Sequence, residues 1–296
     1  MIAAEYKTHD VAVPGGNLTV GEWVSGEVPV LAIHGLSTTH KLWLWTAAEL
    51  AGCRLIAPDL RGRGGSQDFA SPFGVAVHAA DMLAILDQLE VERALIVGMS
   101  LGGSVAAEFA ANNPQRVLGV LFVDGGLPML TAAGFKAMTR DQIVDVFRDR
   151  FQRTEQTWPN IATYGDFFIK TAAPLLELGE PLLEEYLRYD LVGDEPGLRV
   201  RLDPVAVADD AADLFLMYGA EAALFSMTAP MRLLYAEWGV GRDTAPGFTA
   251  DYLADWQVRL PDLSARMLPG TDHGATVMTA ASGRAIAEEV GVLAKR

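Results

Sequence analysis

The chain has 296 residues, of which 50 % are apolar and 21 % are charged, a composition typical of a globular protein rather than a disordered one. Its 38 acidic and 23 basic side chains give a net charge of −15, which disfavours binding to nucleic-acid phosphates and to anionic membranes. The single cysteine, Cys53, excludes an internal disulfide and a paired-cysteine metal site. No apolar run approaches the ~20 residues of a membrane span, and the N-terminus lacks a signal-peptide pattern, so we expect a cytoplasmic protein.

The first 126 residues predict buried strands that alternate with helices. Pro14-Gly15-Gly16-Asn17 predicts the turn of a hairpin between residues 11–13 and 18–24. Continuous apolar runs, typical of strands that are buried on both faces, occur at residues 28–33, 54–57, 94–97 and 117–123. Apolar residues at helical spacing occur at 42–50, 75–89 and 104–111. This alternation predicts an α/β fold with a mostly parallel sheet that helices cover on both faces.

Residues 127–229 follow a different pattern, with helical periodicity and no convincing strand. We predict helices there at residues 142–151, 167–172, 181–191 and 205–216. Beyond this segment, strands are predicted at 231–236 and 265–268, and a final helix is predicted at 280–294. The sequence therefore predicts a core of residues 1–126 and 230–296 that is interrupted by a helical insertion at 127–229.

A candidate nucleophile lies between a predicted strand and a predicted helix, in Gly98-Met99-Ser100-Leu101-Gly102. A sharp turn there requires glycine two residues before and two residues after the serine, because side chains would clash. Such a turn lifts the Ser100 hydroxyl clear of the sheet and places it at the N-terminus of a helix. No lysine or threonine follows to make a phosphate-binding loop, so we predict that Ser100 is a nucleophile.

A serine nucleophile needs a general base, and the chain has five histidines. Three of them are expected to be surface or capping residues: His9, His40 and His78. His273 lies in the loop 270–274 before the last predicted helix, where the chain order nucleophile, acid, histidine places the base. We therefore predict that His273 is the general base.

Two backbone N–H groups are needed where the oxyanion of the reaction develops. We predict that Leu101 supplies one, from the turn itself, and that Leu36 supplies the other, from the loop His34-Gly35-Leu36-Ser37. His34 is then expected to orient this loop rather than to act as a base.

Four segments, in this order and spacing, resemble the α/β-hydrolase superfamily over nearly the whole chain: HGLS, APDLRGRGGS, GMSLG and GTDHG. The resemblance implies a mostly parallel eight-stranded sheet with helices on both faces, and it implies that the insertion at 127–229 is a helical cap. It also implies a Ser–His–acid triad at the carboxyl ends of the strands.

The acid of this triad has three candidates. Most relatives carry Gly-x-x-Asp just after the strand that follows the cap, but here Arg242 occupies that offset from Gly239, and Glu237 and Asp243 are near misses. Some members instead carry the acid at the end of the strand before the cap, where Asp124 is followed by two glycines. We predict Asp124 and keep Asp243 and Glu237 as alternatives.

Other conspicuous residues have simpler interpretations. Arg61 and Arg63 are expected to pack beneath the sheet edge through hydrogen bonds to carbonyls and to Asp59, and Cys53 is expected to be an inert core residue. The insertion holds apolar side chains that either line a pocket or bury the cap against the core: Phe135, Phe147, Phe151, Trp158, Tyr164, Phe167, Phe168, Met217, Phe225 and Met227.

Together these residues predict a serine hydrolase that cleaves a small-to-medium apolar carboxylic ester or lactone through an acyl-enzyme on Ser100. The alternatives are a carbon–carbon bond hydrolase or lyase with the same triad and, from another class, a ligand-binding or sensor protein on this fold. We expect a small-molecule substrate and no requirement for a metal or an organic cofactor. The sequence leaves the oligomeric state open.

Overall fold

The computed structural model describes residues 5–150 and 152–295, with the side chains of 147–150, 152 and 217 outside the described set. The strands are β1 (Glu5–Val13), β2 (Gly16–Val24), β3 (Gly26–Ile33), β4 (Gly52–Pro58), β5 (Ala94–Met99), β6 (Val117–Val123), β7 (Leu191–Val192), β8 (Arg199–Val200), β9 (Met231–Ala236) and β10 (Leu263–Leu268). The helices are α1 (Leu44–Glu49), α2 (Val75–Gln88), α3 (Leu101–Asn112), α4 (Arg140–Arg150), α5 (Ile161–Ala172), α6 (Pro181–Tyr189), α7 (Pro204–Ala212), α8 (Ala220–Ser226), α9 (Ala250–Arg259) and α10 (Ala280–Leu293).

The main sheet has eight strands in the order β1-β2-β4-β3-β5-β6-β9-β10. Strand β2 is antiparallel to both of its neighbours, and all pairs from β4 to β10 are parallel. This arrangement confirms the predicted α/β fold class with a mostly parallel, eight-stranded sheet.

The parallel strands are apolar throughout because both faces of the sheet are covered. In β3, Leu31 and Ile33 face a cluster that also includes residues of α2, α3, α8 and α9. The alternate residues Val30 and Ala32 face a second cluster, which includes residues of α1, α5, α6 and α10. Carboxyl ends of parallel strands meet at one edge of a sheet, so the loops after β3, β5, β6 and β9 converge there.

The insertion between β6 and β9 holds α4 to α8, as its periodicity predicts. The expectation of no strand is wrong, because β7 and β8 pair there in an antiparallel ladder. Each of these strands has two residues, too few to produce a recognisable alternating pattern. The predicted end of the first helix at Phe151 lies outside the described residues.

Buried aromatic side chains fix the insertion to the core. Trp158, Tyr164 and Phe168 are at most 5 % exposed and belong to the apolar cluster of the α1 and α10 face. These three therefore pack the insertion against the core rather than line a pocket. No helix in the described ranges has both the length and the apolar character of a membrane span.

Candidate active site

Ser100 occupies the turn between β5 and α3 and has φ 53° and ψ −118°. A positive φ is strained for a residue with a side chain, and such strain is concentrated at functional sites. A Cβ atom at Gly98 would lie 2.2 Å from the Gly102 carbonyl oxygen, and one at Gly102 would lie 2.1 Å from the Ile33 carbonyl oxygen. Both glycines are thus required by close backbone contacts around the serine, as the sequence predicts.

Asp124 follows β6 directly, and its side chain accepts two hydrogen bonds. Its Oδ2 lies 2.6 Å from Nδ1 of His273, and its Oδ1 accepts the N–H of Ala236 at the end of β9 at 3.1 Å. Asp124 is 1 % exposed, whereas the His273 side chain is 26 % exposed, so the carboxylate is buried and the imidazole reaches the surface. A charge-assisted bond of this length orients the imidazole and fixes its hydrogen on Nδ1.

The same backbone contacts bring Asp124 next to Ser100. The Ser100 N–H donates to the Val123 carbonyl at 3.1 Å, one residue before the aspartate. A Cβ atom at Gly125, one residue after it, would lie 2.4 Å from the Ser100 carbonyl oxygen. Ser100, Asp124 and His273 therefore follow the carboxyl ends of β5, β6 and β10, with Asp124 bonded to His273 and its chain neighbours in contact with the Ser100 backbone.

The other two candidate acids occupy different environments. The Glu237 carboxylate accepts the N–H of Gly270 at 2.7 Å, which braces the loop that carries His273. Asp243 is exposed and has φ 60°. Of the three candidates, Asp124 is the one that this geometry supports as the partner of His273.

The loop of residues 34–37, which we call the oxyanion loop, lies beside the serine. A Cβ atom at Gly35 would be 3.5 Å from the Ser100 Cβ. Leu36 follows in this loop, while Leu101 is the first residue of α3, so the predicted N–H donors flank Ser100 from two elements.

His34, the first residue of this loop, is fully buried, and both of its ring nitrogens have hydrogen-bond partners. Its Nδ1 lies 2.7 Å from the Gly35 carbonyl oxygen, and its Nε2 accepts the N–H of Leu60 at 2.9 Å. Burial lowers the pKa of His34 to about 3, so the ring is neutral. In a trans peptide the C=O and N–H point in opposite directions, so the bond to Gly35 also fixes the direction of the Leu36 N–H.

Two of the histidines that were expected to be surface or capping residues are fully buried and are paired with carboxylates instead, so the expectation is wrong for them. His40 Nδ1 lies 2.9 Å from Asp59 Oδ1, and His78 Nε2 lies 2.9 Å from Asp210 Oδ2. His9 is partly exposed and pairs with Glu22 at 2.7 Å. The partners of His40 and His78 are distant in sequence, so no local sequence pattern predicts these two pairs.

The two arginines after β4 are buried and structural, but their predicted bond to Asp59 is wrong. Arg61 makes a two-pronged ion pair with Asp81, at 2.7 and 2.8 Å. The Asp59 carboxylate is instead bonded by His40, by the Gly65 N–H and by the Tyr189 hydroxyl.

Arg63 contacts both the oxyanion loop and the cap. Its Nε and Nη2 donate to the Leu36 carbonyl at 3.1 and 2.9 Å, and its Nη1 donates to the Arg61 carbonyl at 2.6 Å. Nη1 also lies 2.5 Å from Asp210 Oδ2, on α7. The glycine-rich loop predicted that Arg63 donates hydrogen bonds to backbone carbonyls, but it did not show which carbonyls accept them.

Arg153 makes a similar connection from the insertion. This residue was not identified from the sequence, because its polar neighbours, Gln152 and Thr154, give no sign of burial. Its guanidinium donates to the Ser37 carbonyl, to the Tyr164 hydroxyl at 2.8 Å and to Asp190 at 3.3 Å. Arg153 is 4 % exposed and Asp190 is 1 % exposed.

An apolar cluster of the cap lies against Leu36. It consists of Ile143 and Ala211 with the partly exposed side chains of Phe135, Met138, Phe215 and Leu216. The Phe135 and Phe215 rings stack with centroids 4.5 Å apart. Phe151 and the side chains of Phe147 and Met217, also named from the sequence, lie outside the described residues. In the described ranges no group of three or more His, Cys, Asp or Glu side chains is arranged to hold a metal ion.

Comparisons with known proteins agree with the fold. A family model described as alpha/beta hydrolase fold matches residues 28–176. An uncharacterized protein of Mycobacterium tuberculosis is 40 % identical over 105 residues, which cover 35 % of this chain and 31 % of that protein. Lipase LipV of the same organism is 34 % identical over 100 residues, which cover 34 % of this chain and 38 % of the lipase.

Among solved structures, that of E-2-(acetamidomethylene)succinate hydrolase matches with a TM-score of 0.78 and 19 % identity, covering 99 % of this chain and 100 % of that one. The chain spans about a third of the length of the two mycobacterial relatives, since 31 % and 38 % of them are matched. The structural match therefore extends over the whole fold, while the sequence matches are partial.

Proposed function

Because the chain belongs to the α/β-hydrolase fold family, we propose that it is a serine hydrolase with Ser100 as nucleophile, His273 as general base and Asp124 as the acid that orients the base. The observation that carries the proposal is the 2.6 Å bond between Asp124 and His273, formed beside a serine held at positive φ.

The mechanism follows from these positions. Nε2 of His273 removes the hydroxyl proton as Ser100 Oγ attacks the substrate carbonyl carbon, while Asp124 stabilises the resulting imidazolium through Nδ1. The N–H groups of Leu36 and Leu101 donate to the oxyanion of the tetrahedral intermediate. His273 then protonates the leaving oxygen, and an acyl-enzyme remains on Ser100.

Water completes the reaction. His273 removes a proton from the water as its oxygen attacks the acyl carbon, and the returning proton restores the Ser100 hydroxyl as the acid product leaves. Ester or lactone plus water therefore yields acid and alcohol, with the protein unchanged.

The proposed substrate is a small-to-medium apolar carboxylic ester or lactone. The partly exposed apolar side chains of the cap, next to Leu36, support an apolar acyl or alcohol group at this place. The partial similarity to a mycobacterial lipase supports an ester as the bond that is cleaved.

The test is hydrolysis of p-nitrophenyl esters from acetate to octanoate by the wild type, by Ser100→Ala and by Ser226→Ala, an exposed serine of α8 as control. Loss of the nucleophile is expected to lower kcat by up to about 10⁶-fold, and the control is expected to match the wild type. The preferred chain length then measures the size of the apolar pocket.

Labelling by a fluorophosphonate provides a second readout that does not depend on the substrate. We expect the wild type to be labelled at Ser100 and Ser100→Ala to remain unlabelled. Equal ester hydrolysis in wild type and Ser100→Ala, with no label on either, would contradict a serine hydrolase and favour a ligand-binding role. Labelling without any ester turnover would instead move the proposed substrate to a carbon–carbon bond.

A further inference from the structure

The oxyanion loop is held at each of its last three carbonyls by a buried side chain. Besides the bond from His34 to Gly35, Arg63 donates two N–H groups to the Leu36 carbonyl, and Arg153 donates to the Ser37 carbonyl. Arg63 is 0 % exposed, so its charge is removed from water and has to be compensated within the protein.

The compensating charges for both arginines come from the cap. Asp210 of α7 pairs with Arg63, and Asp190, just after α6, pairs with Arg153. Asp210 also accepts from His78 and from the N–H of Gly74 at 2.6 Å, so its carboxylate is held from three sides. Burial alone would raise the pKa of Asp210, but His78 and Arg63 lower it to about 2, which keeps the carboxylate ionised.

We propose that Arg63 and Arg153 are positioning residues of the oxyanion hole and that their cap aspartates, Asp210 and Asp190, couple assembly of this hole to docking of the cap. The inference rests on the proposed function, because it assigns the Leu36 N–H as an oxyanion donor.

The physical reason is the geometry of consecutive peptides. The Leu36 N–H belongs to the peptide whose carbonyl is fixed by His34, and the next carbonyl is fixed by Arg63, so both peptides flanking the Leu36 Cα are restrained. An oxyanion donor stabilises the transition state because its position is fixed in advance, and a small displacement of the donor lowers the rate. If the cap moves away, Arg63 loses its counter-charge, Asp210, and Arg153 leaves the Ser37 carbonyl together with its partner Asp190, so the loop loses both restraints.

The chain offers a matched control for Arg63. Arg61 lies in the same loop and forms an equally buried ion pair with Asp81 of α2, and this pair bonds no carbonyl of the oxyanion loop. We compare Arg63→Met/Asp210→Asn with Arg61→Met/Asp81→Asn. Each double variant removes both charges of one pair, which avoids leaving an unpaired buried charge, and the asparagine side chain that replaces Asp210 retains an acceptor for the Gly74 N–H.

The first variant is expected to lower kcat by about 10- to 100-fold with little change in KM, a loss smaller than that of a whole oxyanion donor. Affinity for a trifluoromethyl ketone, whose adduct with the serine places an oxyanion in the hole, should fall by the same factor as kcat. The Arg61→Met/Asp81→Asn variant should retain kcat and inhibitor affinity, whatever its change in Tm.

Arg63→Lys provides a test if the double variant does not fold. A lysine retains the positive charge facing Asp210 but cannot donate two hydrogen bonds in the fork geometry that meets the Leu36 carbonyl. The expected result is a loss of kcat and inhibitor affinity in a folded protein, and Arg153→Lys should act in the same direction.

The outcomes distinguish the coupling between cap and oxyanion hole from the proposed serine hydrolase function. Equal kcat and inhibitor affinity in the two double variants, or wild-type values in both lysine variants, would overturn the coupling and leave the serine hydrolase standing. A wild type that neither binds the ketone nor is labelled at Ser100 would overturn the proposed function and the coupling with it.

Discussion

The two oxygens of the Asp124 carboxylate have different partners: Oδ2 pairs with Nδ1 of His273, and Oδ1 accepts the Ala236 N–H. The second bond ties the aspartate to the end of β9, the strand beside β6. Because β6 and β9 are adjacent and parallel, their carboxyl ends lie side by side, and this one carboxylate connects them while it also holds His273.

Replacing Asp124 by Asn tests its role, with Asp243→Asn as the exposed control. Asparagine keeps the shape but removes the charge and favours the wrong tautomer of His273, so kcat is expected to fall by about 10⁴-fold. Asp243→Asn should retain the wild-type kcat. Similar mild losses in both variants, measured with the preferred p-nitrophenyl ester, would rule out Asp124 as the triad acid.

For single residues, the sequence predicted a role where the pattern was local, and it did not predict pairs of residues that are distant in the chain. Ser100 could be predicted because its glycines stand within two residues of it. Asp124 could only be placed among three candidates, since the sequence does not show which strand end faces His273. The buried pair of His78 and Asp210 gave no signal, because each residue alone resembles an exposed polar side chain.

Among the elements, the turn from β5 to α3 has backbone contacts too close for a Cβ atom at its glycines. It packs against the segment after β6, where Gly125 touches the Ser100 backbone without needing a positive φ. The constraint at Gly125 is therefore steric and is not one of backbone conformation.

Gly125→Ala is expected to displace the turn and to destabilise the protein by about 1–3 kcal/mol, with a loss of kcat because Ser100 and Asp124 shift together. Gly291→Ala, in α10 where an added Cβ meets nothing within 4 Å, is the control and should be neutral or stabilising by up to about 1 kcal/mol. Thermal unfolding and ester hydrolysis measure both effects. A stable, fully active Gly125→Ala protein would refute the steric argument.

The strands of the sheet were predictable because burial on both faces leaves continuous apolar runs. Helices α8 and α9 were not predicted, since each buries only two side chains, Ala223 and Leu224 in one and Leu253 and Trp256 in the other. Their positions are set by packing on the finished sheet rather than by a strong periodic pattern.

Across the whole molecule, buried titratable groups make stability depend on pH. The folded pKa of His34 is about 3, below the value of ~6.5 for an unfolded histidine. Between these values the unfolded chain binds a proton that the folded protein does not, so acidification favours unfolding. The contribution of neutral His34 is complete above pH ~6.5 and is lost as the pH falls toward 3.

We therefore expect the free energy of unfolding to fall by up to about 1.4 kcal/mol per pH unit below pH ~6.5 on account of His34 alone. Urea unfolding of the wild type and of His34→Gln from pH ~4.5 to 7.5 isolates this effect, since the low pKa values of Asp59 and Asp210, each about 2, confine their contribution to more acidic solutions. The slope should be shallower in His34→Gln. Identical slopes would show that His34 binds its proton over the same pH range in the folded and unfolded protein, and so that its pKa is not lowered by folding.

The order of the strands in the sheet has a consequence for synthesis. Strand β6 pairs with β9, yet Met231, the first residue of β9, follows Val123 by more than a hundred residues. On the ribosome, a growing chain therefore presents the unpaired apolar edge of β6 while the insertion is translated, for on the order of ten seconds at ordinary rates of synthesis. Such an edge is a template for wrong pairing, which makes this interval the one in which the protein most needs protection. Ser100 and Asp124 are by then already translated, whereas His273 lies in the last tenth of the chain.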